Sequence, residues 1–142
     1  MNTSQKIHFF SLKKNFRVPE PARTRKIINK ILASKKKKLE SLNLVFCSDA
    51  YLLKINRDYL GHDFFTDIIT FNLADPGKPI IGEIFISIDR VRDNARTLKI
   101  SSKNELSRVI IHGALHLGGL RDKTKAEKVK MRALENRYLS QF

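Results

Sequence analysis

TDIITFNLADPGKPIIGEIFISI, residues 66–88, places two runs rich in Ile and Phe, 66–73 and 79–88, on either side of a turn-forming ADPGKP. Branched and aromatic side chains pack well on a pleated, half-buried surface, so both runs read as strands. Asp75, Pro76 and Gly77 supply the turn chemistry between them. The stretch predicts a β-hairpin.

Upstream, LNLVFCS (42–48) reads as a buried strand, and Ser48 or Asp49 can cap the helix AYLLKINRDYL (50–60). IHFFSL (7–12) is a short strand-like run. PEPARTRKIINKILASKKKK (19–38) opens with prolines suited to a first helical turn and sets Ile27, Ile28, Ile31 and Leu32 on one stripe. Arg23, Arg25, Lys26 and Lys30 occupy its other faces, which predicts a surface helix.

Downstream of Asp89 the chain reads as helical: DRVRDNARTLKI (89–100), then a helix from 103 to about 117 opened by a capping box Ser102-x-x-Glu105. A second box, Thr124-x-x-Glu127, starts the last helix, where Met131, Leu134, Tyr138 and Phe142 share a stripe opposite Lys125, Lys128 and Arg132. Four strands and about five helices predict an α/β (α+β) fold with a small four-stranded mixed sheet, and 142 residues suit one domain spanning 1–142.

No apolar run approaches the roughly 20 residues that a bilayer span needs, and MNTSQKIHFFSLKKNF at the N-terminus carries no export-type apolar region. Cys47 is the only cysteine, so no disulfide forms within the chain. It reads as a buried structural thiol, with a nucleophile as the alternative, and a cytoplasmic location is the expectation. The charge is more telling, because 28 Lys and Arg against 14 Asp and Glu leave +14, beyond what solubility needs. A polyanion is the expected partner. Nucleic acid fits better than a membrane, since no helix joins a basic face to an exposed apolar one and no lipidation signal occurs. A merely basic surface is the alternative.

IIHGALHLGGLRDKTKAE (110–127) carries the candidate chemistry. Leu106, Val109, Ile110, Ala114 and Leu117 mark the buried face of its helix, and His112 and His116 sit i, i+4 on the border of that face. One helical turn lets both imidazoles converge on a single ion. Gly118-Gly119 stops the helix through a left-handed residue, so that Asp122 can return as a third ligand. Three protein ligands and an open position suit a catalytic zinc site, in which the ion acidifies a bound water. Two surface histidines followed by a glycine cap are the alternative for the histidine pair alone.

His112-Gly113-Ala114-Leu115-His116-Leu117-Gly118-Gly119-Leu120-Arg121-Asp122 resembles the H-G-x-L-H-L-x-G-Y-D-H signature of the YbeY family of metal-dependent endoribonucleases, matching six of its letters. INRDYLGHDFFTDIITF (55–71) is similar to the family's N-x-x-Y/W-R-G-x-D-x-P-T-D-V-L-S-F, with Asn56, Tyr59, Gly61, Asp63, Thr66, Asp67 and Phe71 in register. IGEIFIS (81–87) is similar to its G-D-I-x-I-S strand, and Met131 and Glu135 keep its M-x-x-x-E spacing. The resemblance runs from about residue 40 to the C-terminus. Two positions depart from it: Asp122 stands where the family has a third metal-binding histidine, and Leu60 where it usually has an arginine facing the RNA phosphate.

The resemblance implies a single-strand-specific endoribonuclease acting in ribosomal RNA processing, including 16S 3′-end maturation, and in ribosome quality control, with the small ribosomal subunit as partner. A water on one divalent ion, Zn²⁺ first, held by His112, His116 and Asp122, would do the chemistry. The anionic Asp122 makes the site more hospitable to Mn²⁺ or Mg²⁺. Lys35, Lys36, Lys37, Lys38, His62, Lys125, Lys128 and Arg132 are the candidate RNA contacts. A non-catalytic, metal-stabilised ribosome assembly factor is the rival, favoured by Leu60. A metzincin-like peptidase is weaker, because Gly113 occupies the place of that pattern's glutamate base.

Overall fold

The computed structural model describes residues 6–142; the first five residues, part of the N-terminal stretch read above for an export signal, lie outside the described residues. The hairpin is present: β3 (Ile68–Asn72) pairs antiparallel with β4 (Ile80–Ser87), Ile68 opposite Ile86 and Asn72 opposite Gly82. Its connection turns through Gly77 at φ 81°, a conformation that costs glycine little. β4 also pairs in parallel with β2 (Leu39–Cys47), and β2 in parallel with β1 (Ile7–Ser11), in the order β1-β2-β4-β3. The sheet is therefore mixed, as expected. β2 starts three residues before the run at 42–48, past a register shift between Leu39 and Ser41.

Among the described residues, five helices accompany the sheet: α1 (Pro21–Ser34), α2 (Asp49–Leu60), α3 (Ile88–Leu98), α4 (Ser102–Leu117) and α5 (Lys125–Leu139). α1 begins on Pro21 and buries Ile27, Ile28, Ile31 and Leu32. Ser48 caps α2 by accepting from the Tyr51 N–H at 3.1 Å, and the box at Thr124 and Glu127 forms. The box at Ser102 and Glu105 does not. Ser101 is the cap, accepting from the Asn104 N–H at 3.0 Å, so Glu105 lies one residue past the boxing position and turns inward beside Arg108.

α1, α3, α4 and α5 share one face of the sheet, where Leu42, Leu44 and Phe46 of β2 and Ile84 and Ile86 of β4 pack against them. α2 covers the other face, with Leu52 on Cys47 and Ile69. α4 is the central helix: 10 of its 16 residues are buried, more than the expected stripe. A Cβ on Gly113 would meet Ile68 Cδ1 at 2.8 Å and Ile84 Cδ1 at 3.2 Å, so only glycine lets α4 lie this close to the sheet. From its second turn onward, Arg108, His112 and His116, at successive i+4 steps, form the strip left half-open.

Candidate metal centre

Helical spacing along that strip brings the Nε2 atoms of His112 and His116 to 3.1 Å from each other. α4 then ends in a Schellman turn, with the Leu120 N–H on the Leu115 carbonyl and the Gly119 N–H on the His116 carbonyl, both at 3.0 Å. The left-handed residue is Gly119, at φ 101°; Gly118 stays right-handed beneath the Lys35 side chain. This turn aims the Leu120 carbonyl at His116 Nδ1, 3.0 Å away. It also returns Asp122, whose Oδ2 lies 3.4 Å from each of the two Nε2 atoms. α5 starts directly afterwards and carries Glu135 back to His112, Oε2 to Nδ1 at 2.7 Å.

Proton placement follows from these partners. A carbonyl oxygen only accepts, so His116 carries its hydrogen on Nδ1; the Glu135 carboxylate likewise accepts from His112 Nδ1. With both rings neutral, two imidazole lone pairs and a carboxylate oxygen face one another at 3.1, 3.4 and 3.4 Å with no hydrogen between them. A tetrahedral ion with ligands at about 2.0–2.2 Å spaces them about 3.3–3.6 Å apart. The donor set fits a divalent ion, and His112, His116 and Asp122 are the residues that could hold it.

The surrounding charges favour a cation here. Burial opposes charge on His112, but the hydrogen bond and charge of Glu135, with Asp122 and Asp67, prevail and raise its pKa. Burial pushes the Glu135 carboxyl up, and His112, Arg132 and Arg108 together hold it below its ordinary value.

The triad opens onto a cleft of about 810 Å³, walled on one side by β3, an edge strand of the sheet. A smaller pocket of about 240 Å³ lies behind His112, lined by Glu105, Arg108, Arg132 and Glu135. Asp67 lines both, and its carboxyl is raised by burial while His112 pulls it down. Of the candidate RNA contacts, Lys37 and His62 line the cleft, and Lys36 and Lys38 line the adjoining cavity. Lys35 is half-buried, and Arg132 lines the pocket behind His112. Lys125 and Lys128 are exposed on α5 and line neither the cleft nor that pocket. Leu60 lies on the cleft wall.

Sequence reasoning assigned no role to Glu135, Asp67 or Asn56, although the family spacing marked all three positions. Cys47 is no nucleophile: it is buried, donates to the Ile86 carbonyl at 3.4 Å, and has its thiol pushed up to about 12 by burial and by Asp89 and Asp49. Gly113, pressed on Ile68 and Ile84, occupies the position directly after His112 at which the metzincin pattern carries its glutamate base. Among the described residues, no helix is long and apolar enough to cross a membrane.

Fold and site together define a class, a single α/β domain with a His-His-Asp cluster at a cleft beside a mixed sheet. The family model described as "Endoribonuclease YbeY" matches residues 10–142. A Cytophaga hutchinsonii protein named "Endoribonuclease YbeY" is 48% identical over 134 residues, 94% of each chain. One of the same name from Amoebophilus asiaticus is 44% identical over 133 residues, 94% of this chain and 90% of that one. The solution structure of TM1509 from Thermotoga maritima shares the fold, with a TM-score of 0.66 at 24% identity over 94% of this chain and 87% of that chain. The chain belongs to the YbeY endoribonuclease family. Membership supports an endoribonuclease role, and with it a nuclease of the hydrolase class.

Proposed function

We propose that this chain is a metal-dependent endoribonuclease that hydrolyses phosphodiester bonds of ribosomal RNA, with His112, His116 and Asp122 holding one divalent ion, Zn²⁺ first. The observation that carries this reading is the convergence of three acceptor atoms at 3.1, 3.4 and 3.4 Å. When bound, the ion would polarise the phosphate and lower the pKa of the attacking water. Glu135 and the Leu120 carbonyl fix the tautomer and orientation of the two imidazoles. Asp67, a carboxyl raised by burial, lines the cleft with the triad and would be the side chain available there to hold a proton.

Lys35 to Lys38, His62, Lys125, Lys128 and Arg132 would hold the RNA backbone without reading its sequence, in keeping with the net charge of +14. The finer assignment is single-strand cleavage in 16S 3′-end maturation and ribosome quality control, on the small ribosomal subunit and in the cytoplasm. It is supported by the family and by the basic surface.

The test measures the metal content of the purified protein and incubates it with ribosomal RNA precursor beside His116→Ala. Cleavage by the native protein alone is expected; equal cleavage by both overturns the reading. A second reading, the non-catalytic assembly factor, is favoured by the apolar Leu60 on the cleft wall. It expects metal removal to lower Tm while RNA binding persists and nothing is cut.

A further inference from the structure

Between the end of α2 and β3, the chain exposes an unusual set of apolar side chains beside the cleft: Tyr59 is 71% exposed, Leu60 43%, Phe64 57% and Phe65 52%. Clustered exposure of this kind marks an interaction surface rather than a folding requirement. The segment is held firmly. α2 ends on Gly61 at φ 67°, the His62 N–H returns to the Asn56 carbonyl at 3.1 Å, and Arg57 pairs with Asp63. The buried Asn56 side chain donates from Nδ2 to the Phe64 carbonyl at 3.0 Å.

Held in this way, the rings of His62 and Phe64 stack with centroids 5.2 Å apart and planes 18° from parallel, and both line the cleft with the triad. Phe65 already has the Arg90 guanidinium over its ring at 5.1 Å, and Tyr59 packs edge-on against Phe71. Phe64 is engaged by His62 alone among these contacts. Lys37 is the only lysine or arginine lining the cleft among the described residues, and no ion pair engages it there. Its Cε passes 3.9 Å from the position a Cβ on Gly119 would take, next to the turn that returns Asp122.

Fixed aromatic rings and an unpaired cation on one cleft are what a single nucleic acid strand binds, its bases on the rings and its phosphates on the charge. We propose that the Phe64–His62 pair is a stacking platform for one unpaired nucleobase of an RNA, whose adjoining phosphate lies between Lys37 and the triad. The inference rests on the endoribonuclease reading and names the feature of the substrate that the cleft selects. A paired base keeps both faces in the helix stack, so the platform admits unpaired RNA and refuses duplex. Asn56 pre-sets the loop, so little ordering entropy is lost when the base docks.

The test uses the His116→Ala protein, to separate binding from cleavage, and a short RNA carrying one 2-aminopurine, single-stranded or annealed to its complement. Stacking quenches the 2-aminopurine fluorescence. Phe64→Ala is expected to weaken single-strand binding roughly 5- to 150-fold and abolish the quench, with duplex affinity and Tm unchanged, while Phe64→Trp restores both. Unchanged single-strand affinity in Phe64→Ala, or equal losses for single strand and duplex, overturns the platform. Native protein that quenches through Phe64 yet cuts no RNA would keep the platform and remove the enzyme. Native cleavage beside an indifferent Phe64→Ala would do the reverse.

Discussion

Two polar clusters of this molecule use the same side-chain chemistry in opposite ways. At the C-terminal ends of β2 and β4, Asp49 accepts from Ser87 Oγ and Arg90 Nη2, both at 2.7 Å. Asp89 accepts from Lys13 Nζ at 2.7 Å and from the Asp49 N–H at 2.9 Å. All four carboxylate oxygens there have a donor, and the cluster ties the starts of α2 and α3 to the loop after β1. At the C-terminal end of α4, three acceptors meet and none has a donor from the others while both rings are neutral. Matched charges make the first cluster a staple, whereas the unmatched acceptors make the second a site that an ion completes.

The largest effect that can break this comparison is at the triad. His116→Ala removes one of three ligands, and cleavage of ribosomal RNA precursor should fall on the order of a thousandfold or more, because the ion supplies several kcal/mol of charge stabilisation. Residual cleavage above a tenth of native would make the triad dispensable. Next, Glu135→Gln leaves all three ligands but weakens the acceptor that fixes His112 Nδ1. Metal affinity, measured by competition with a chromophoric chelator, should drop about 10- to 100-fold, and an unchanged affinity would mean that Glu135 serves packing alone.

The triad was legible in sequence because its parts lie within eleven residues and one helix converts spacing into distance. The hairpin and the Ile/Leu stripe of α1 were legible for the same reason: period and turn chemistry are local. Glu135 was not, since it reaches His112 from 23 residues away through the packing of α5 on α4. Asp67 needed the pairing of β3 with β4 to bring it beside that helix. The run Lys35–Lys38 reads as uniform charge, yet only Lys37 lines the cleft, because the chain leaves α1 through Lys36 in a left-handed conformation at φ 56°. The misplaced capping box has a similar cause. Ser101 and Ser102 both suit a cap, and the position of Glu105, inward against Arg108, is settled by tertiary packing.

The staple should respond in stability and not in catalysis. Arg90→Met leaves Asp49 Oδ2 without its donor in a half-buried setting, which should cost about 1–3 kcal/mol by denaturant titration while metal affinity stays native. A loss of metal binding in that variant would show that the two clusters are coupled rather than separate.

The smallest effect concerns Asp89 and is read from pH. The Lys13 ammonium and the Asp49 N–H hold its carboxyl below the ordinary value against a weaker opposing push from burial. The folded chain therefore binds this proton less readily than the unfolded one. The associated stability is fully present above the unfolded value of about 3.9 and disappears as pH falls through the lower folded value. Asp89 is 37% exposed, so solvent screening holds the contribution under about 1 kcal/mol. Lys13→Met removes the first of these causes, and its Tm should fall less steeply than the native Tm on acidification from about pH 5 to about pH 3. Parallel Tm curves would show that the Lys13 link adds nothing, leaving the Asp49 N–H and Arg90 to hold the staple.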